Sequence, residues 1–286
     1  MLNIIRTTRG VALGAALLTV AACEDDPVEP AMPIDVTLDF AAVVDEAAFS
    51  CGNSYDNVGT SNTTITPVDF RFYVHDVELI AADGSSVELE LTQDGTWQRE
   101  NVVLLDFENG SGPCVNGTAA MNTTVRGTAP DATYTGVRFT LGVPEELNHA
   151  DQTTAAAPLD LTSLFWSWNG GYKFLRIDHT SDAQPEGWFV HLGSTGCTPT
   201  GDPTVPATSC SNEHRPTFEF LDFDLGIDEI VADYGALLAN SDLAQNSGAK
   251  GCMSFPGDPE CAVVMNAFGL AYEGSQPSGQ SFFSIR

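Results

Sequence analysis

Apolar and polar residues alternate with a period of two in Ile34-Asp-Val-Thr-Leu-Asp-Phe40, so this segment predicts a strand with one buried and one solvated face. The same period returns over 70–80, ahead of the turn signal Asp83-Gly84. It returns again in Val87-Glu-Leu-Glu-Leu91, ahead of Asp94-Gly95. Segments 102–107, 134–141, 172–177, 188–192 and 217–223 continue the series, with Gly, Asp and Asn between them. Short strands at this spacing predict an all-β fold, an antiparallel sandwich or distorted barrel with few short helices. Helical periodicity is scarce. Residues 159–168 offer a short helix, and 228–239 the best amphipathic one, through Ile230, Val231, Tyr234, Leu237 and Leu238.

The first residues break this pattern. Arg6 and Arg9 precede an apolar run over 11–22, which is too short for a membrane span of about 20 residues and reads as an export signal. Leu18-Thr-Val-Ala-Ala-Cys23 resembles a bacterial lipobox, so cleavage before Cys23 and lipidation of that cysteine are expected. The competing reading is an ordinary signal peptide with Cys23 free. Residues 1–22 are then the signal, 23–33 an acidic, Pro-rich tether, and 34–286 one β domain whose Gly/Ser/Pro-rich segment from about 241 decorates it. The location implied is the periplasm or outer membrane, with membrane contact only through the anchor.

Charge narrows the partners. Eleven Lys+Arg against 39 Asp+Glu give −28, which argues against nucleic acid, since a phosphate backbone calls for a basic footprint. With only 17 % charged and 43 % hydrophobic residues, the chain is nonetheless a folded protein, one able to concentrate cations.

Six cysteines remain besides Cys23, an even number suited to an oxidising compartment. Cys197 with Cys210 and Cys252 with Cys261 bracket short polar loops, which leaves Cys51 with Cys114 as a long-range bridge. The absence of any CxxC pair disfavours zinc, and the absence of CxxCH excludes a c-type haem.

Of five histidines, His75 lies mid-strand, His149 closes a loop after a strand, and His191 sits on a strand six residues before Cys197. Three imidazoles from separate elements suit a mononuclear copper or zinc site, although each alone also fits a hydrogen-bonded core residue. His179 and His214 stand among polar residues and are expected to be solvated. The aromatic run from Leu164 through Trp166, Trp168, Tyr172 and Phe174 reads as a core layer, or as an oxidisable indole beside a redox metal.

At these residues the sequence resembles a known family. Cys51 with Cys114, Trp97-Gln, Leu104-Leu-Asp-Phe-Glu108, Gly142-Val-Pro with Leu147-Asn-His149, the Trp166-x-Trp168 run to Phe174, and His191-Leu-Gly-Ser-Thr-x-Cys197 with Cys210 resemble the MbnP-like family over roughly 34–240. These are periplasmic copper-binding proteins of the metallo-mystery pair, four-Cys type. The resemblance implies one copper ion held by His75, His149 and His191, with the cysteines in structural disulfides rather than as thiolate ligands. It also implies a dihaem peroxidase partner of the MauG/MbnH type that oxidises a tryptophan to kynurenine. Trp166 and Trp168 are the candidates, with Trp188 as the rival.

Two other readings stand beside this one. Asp222-Phe-Asp224-Leu-Gly226-Ile-Asp228-Glu229 suggests a calcium- or carbohydrate-binding surface β-sandwich, but its glycine is one position early for an EF-hand loop. An enzyme is disfavoured: no nucleophile elbow, no Ser/His/Asp order and no H-E-x-x-H is present.

Overall fold

The computed structural model describes residues 32–167, 169–199 and 207–286. The proposed signal, most of the tether, Cys23 and Trp168 lie outside them. Met32–Arg286 form one unit built mainly of strands, with three short helices among the described residues.

Two sheets face each other. One runs Phe283–Ile285, Glu229–Asp233, Pro33–Val44, Thr124–Pro130, Glu90–Leu91. The other runs Thr217–Phe220, Tyr134–Leu141, Thr63–Ala81, Leu175–Ser181, Trp188–Leu192, Gly251–Cys252, with Val102–Asp106 and shorter strands also on Thr63–Ala81. Pairing is mostly antiparallel, but Pro33–Val44 with Glu229–Asp233 and Trp188–Leu192 with Gly251–Cys252 are parallel. Leu38, Phe40, Phe70, Phe72, Phe139, Ile177, Trp188 and Phe283 fill the space between the sheets. A second, smaller core lies on the other side of the larger sheet, where Tyr73, Leu104, Val143, Leu164, Tyr172 and Phe174 meet. Much of the aromatic run is therefore a core layer.

The central strand Thr63–Ala81 runs 19 residues and carries register slips against two of its neighbours. Pro67 sits where the register with Leu175–Ser181 slips, the one kind of position at which a central strand tolerates a residue without an N–H. Asp76, at φ 48°, marks a second slip, against Tyr134–Leu141.

Several segments differ from the sequence expectation. Segment 228–239 is a strand, Glu229–Asp233, followed by the helix Tyr234–Leu238. Its β-branched Ile230 and Val231 pair with Phe40 and Ala41, and Asp233 then caps the helix by accepting from the Ala236 N–H. Segment 159–168 gives only a single 3₁₀ turn, Thr162–Leu164, before the strand Phe165–Ser167. The alternating 87–91 segment divides, sending Ser86–Glu88 to one sheet and Glu90–Leu91 to the other. All three disulfides form as paired from the spacing: Cys51–Cys114, Cys197–Cys210 and Cys252–Cys261.

Candidate metal centre

Alternation along Thr63–Ala81 sends Phe70, Phe72 and Val74 into the main core and Asp69, Arg71, Tyr73 and His75 to the opposite face. His75 is buried there, its Nδ1 donating to the Gly142 carbonyl at 2.9 Å, with Nε2 3.6 Å from Asp76 Oδ2. Burial lowers its pKa, which favours a neutral ring.

His191 occupies the same face two strands away. It lies opposite Arg176, which lies opposite Arg71. Its Nε2 is 2.8 Å from Asp178 Oδ1, and its ring stacks on Phe189 at 5.5 Å. Burial pushes the Asp178 carboxyl up, but the His191 hydrogen bond and the neighbouring cationic groups outweigh it and hold the pKa below the ordinary value. His75 is four residues from Arg71 along its strand, so strand spacings put it about 16 Å from His191.

His149 follows the helix Glu145–Asn148, with Nε2 3.1 Å from Asn148 Nδ2 and 3.2 Å from Cys210 Sγ. Among the described residues, two groups offer three ligand atoms within 4.8 Å of one another, His149 with Cys197 and Cys210, and Glu108 with Cys51 and Cys114. Both contain a disulfide, which supplies no thiolate, and neither contains His75 or His191. The three expected imidazoles are thus not brought together. Two share a sheet face but sit in different rows, and the third follows a short helix and packs against the Cys197–Cys210 disulfide.

Between His75 and His191 the face carries a buried ionic ladder. Arg71 pairs with Asp69, and Arg176 with Asp69 and Asp178. Burial, reinforced by the Glu108 charge against the opposing Arg71, pushes Asp106 up to about 8. The ladder is structural, since its charges are closed on one another.

The tryptophans separate cleanly. Trp188 is fully buried in the main core, its Nε1 donating to the Gln245 carbonyl at 3.2 Å. Trp166, on Phe165–Ser167, is half-buried and packs against Phe255 at 5.7 Å, a ring that is itself 52 % exposed. It lies tight over Gly193, where a Cβ would meet the indole at 2.6 Å and the Tyr172 carbonyl at 2.8 Å.

Both histidines expected to be solvated prove otherwise. His179 points into the core, because its strand alternates it there, and its Nδ1 meets the Tyr234 hydroxyl. His214 is half-buried with φ 52°, and its Nδ1 donates to the Gly193 carbonyl at 2.9 Å. That bond fixes the tautomer with the lone pair on Nε2, as in metal-binding histidines, and burial lowers its pKa. Trp166 and His214 thus each contact Gly193, the indole beside its Cα and the imidazole at its carbonyl. The reading by residue type missed His214, because its polar neighbours concealed the backbone bond that orients it.

The acidic loop makes no such assembly. The Asp224 N–H donates to Asp228, Glu229 pairs with Arg286, and no group of three ligand atoms forms there among the described residues.

Fold and site together define a disulfide-braced β protein of two main sheets in which an indole and an oriented imidazole each contact Gly193. A family model described as MbnP matches residues 33–254, and the chain belongs to the MbnP family. It is similar to the solved structure of MbnP from Methylosinus trichosporium, at 30 % identity and a TM-score of 0.77, over 89 % of this chain and 98 % of that one. No curated protein matches.

Proposed function

We propose that this chain is an exported, non-enzymatic copper-binding protein, anchored by lipid at Cys23, that holds one copper ion beside Trp166 after a dihaem peroxidase of the MauG/MbnH type has oxidised that indole to kynurenine. The observation carrying this reading is that Trp166 packs beside the Gly193 Cα while His214 is bonded to the carbonyl of the same residue. His214 keeps Nε2 for a ligand while its other nitrogen is held by backbone, a donor that fits copper. Trp166 is half-exposed, within reach of a partner's surface, whereas Trp188 is sealed in the core. The carbonyl and aniline nitrogen of a kynurenine would add donors that an intact indole lacks. When bound, copper would supply a redox-active, thiophilic or imidazole-seeking cation at the protein surface. His149, which follows the helix Glu145–Asn148 and packs against Cys210 Sγ, is the imidazole of the expected set that borders the Cys197–Cys210 disulfide.

The test is production of the full chain with and without a dihaem partner, followed by intact and peptide mass and copper analysis after dialysis. The expected result is oxidation confined to the peptide holding Trp166 and copper retained at one ion per chain only in the oxidised form. Unmodified Trp166 with full copper retention would overturn it.

A further inference from the structure

A second candidate site, not lined by Trp166, lies where the Cys252–Cys261 loop folds against the residues that follow Tyr234–Leu238. A cavity of about 220 Å³ opens there, bordered by Trp188, Ser241, Asp242, Pro259, Glu260 and Val263. Two buried polar atoms of its wall, Ser241 Oγ and Glu260 Oε2, have no hydrogen-bond partner, and Ser241 is only 1 % exposed. Buried polar groups are normally satisfied, so two such atoms on one small cavity point to a missing ligand. The other oxygen of Glu260 is already fixed, accepting from the Ser247 N–H at 2.8 Å, and the neighbouring Cys261 is tied to Cys252. The Glu260 carboxylate is therefore held in place before anything binds.

We infer that this cavity binds the primary ammonium group of a small polar organic molecule. An ammonium has three donors and no acceptor, which suits a hydroxyl oxygen, a carboxylate oxygen and the adjacent Asp242 carboxylate. A hard metal ion needs six or more oxygens at close range. Among the described residues neither Glu260 nor Asp242 belongs to any group of three metal-capable ligands, and the space exceeds that of one ion. Pro259 and Val263 give the carbon skeleton an apolar wall. Asn240 and Val263 also border a neighbouring cleft of about 570 Å³ that presents Asn266, Gln276 and Gln280, uncharged amides suited to hydroxyls or amides on the rest of the ligand. The strongly negative chain raises the local concentration of cations. This inference is independent of copper.

The experiment is isothermal titration of the full chain with D-glucosamine and ethanolamine, with D-glucose and calcium chloride as comparisons. Saturable one-to-one binding of D-glucosamine is expected, with none for D-glucose, and at least a tenfold weakening in Ser241→Ala and in Glu260→Gln. Glu260 is half-exposed, so its amide variant keeps the fold and carries the test should Ser241→Ala lower the melting temperature. Absence of binding by both amines, equal binding of glucose, unchanged affinity in the variants, or binding of calcium in place of the amines overturns the inference.

Discussion

His191 Nε2 and Asp178 Oδ1 lie 2.8 Å apart on a sheet face closed to water, with the Arg176 Nε 2.7 Å from the other Asp178 oxygen. Both residues of the imidazole–carboxylate pair are nearly fully buried. Removing one member of a closed ionic set leaves the rest uncompensated in a poorly solvated place. Asp178→Ala should therefore lower unfolding free energy by about 3–5 kcal/mol, read by urea denaturation. A loss under about 1 kcal/mol would mean that water reaches this face and that His191 is available for other work.

That pair also shows what the sequence could convey. The alternation of Thr63–Ala81 and Trp188–Leu192 was legible, because one buried face imposes a period of two. It correctly makes strands of the segments carrying His75 and His191. Whether two such histidines meet depends on register, which is set by pairing with Leu175–Ser181 between them and by the slips at Pro67 and Asp76. No local pattern encodes those. The disulfides were legible for the opposite reason, since Cys197–Cys210 and Cys252–Cys261 close short loops and leave Cys51 with Cys114 as the remaining pair. His214 was illegible because its role comes from a backbone carbonyl 21 residues away in the chain.

His179 makes stability depend on pH. Burial holds its imidazole down to about 3, against an ordinary value of 6.5. Between those values the unfolded chain binds a proton that the folded chain cannot, so this contribution is complete above pH 6.5 and is lost as pH falls. Asp106 acts with the other sign. Raised to about 8, it binds a proton in the folded state only, and its contribution is lost as pH climbs from 3.8 through 8. Urea midpoints across this range should show His179→Gln flattening the acid limb and Asp106→Asn the alkaline one. An unaltered acid limb in His179→Gln would show that the ring protonates freely in the fold.

The disulfides should differ in worth according to the chain they close. Cys51–Cys114 spans 63 residues and Cys252–Cys261 spans 9. Loop-closure entropy then assigns about 4 kcal/mol to the first and about 2.5 kcal/mol to the second. Paired serine substitutions, compared by thermal and denaturant unfolding, should rank in that order. A larger loss from the shorter loop would place the stabilisation in the folded state around the small cavity instead.

Copper retention distinguishes the imidazoles. With the oxidised protein, His214→Ala should reduce bound copper from one ion per chain to a small fraction, while His75→Ala should leave it near full occupancy, because Gly193, against which Trp166 packs, is bonded by His214 and not by His75. Metal analysis after dialysis decides between them, with circular dichroism confirming the β fold in each. Loss of copper in His75→Ala with retention in His214→Ala would return the site to the central strand.

Gly193 is the joint on which the copper reading turns. Its Cα hydrogen faces the Trp166 ring and the Tyr172 carbonyl, and a methyl group there would stand 2.6 Å and 2.8 Å from them, closer than carbon atoms normally approach. The Tyr172 carbonyl belongs to a paired strand backed by the second core, so the lone indole edge is the element that yields. Gly193→Ala should swing Trp166 outward at a stability loss of about 1–3 kcal/mol, the usual range for overpacking. The main core lies on the other side of the sheet, so the β fold should persist. Oxidation of Trp166 by the partner can survive this displacement, since the ring becomes more exposed, but copper retention should fall as the ring leaves His214. Modification without metal would thus be the signature of this variant. Undiminished copper at full stoichiometry would show that indole and imidazole do not share one ion.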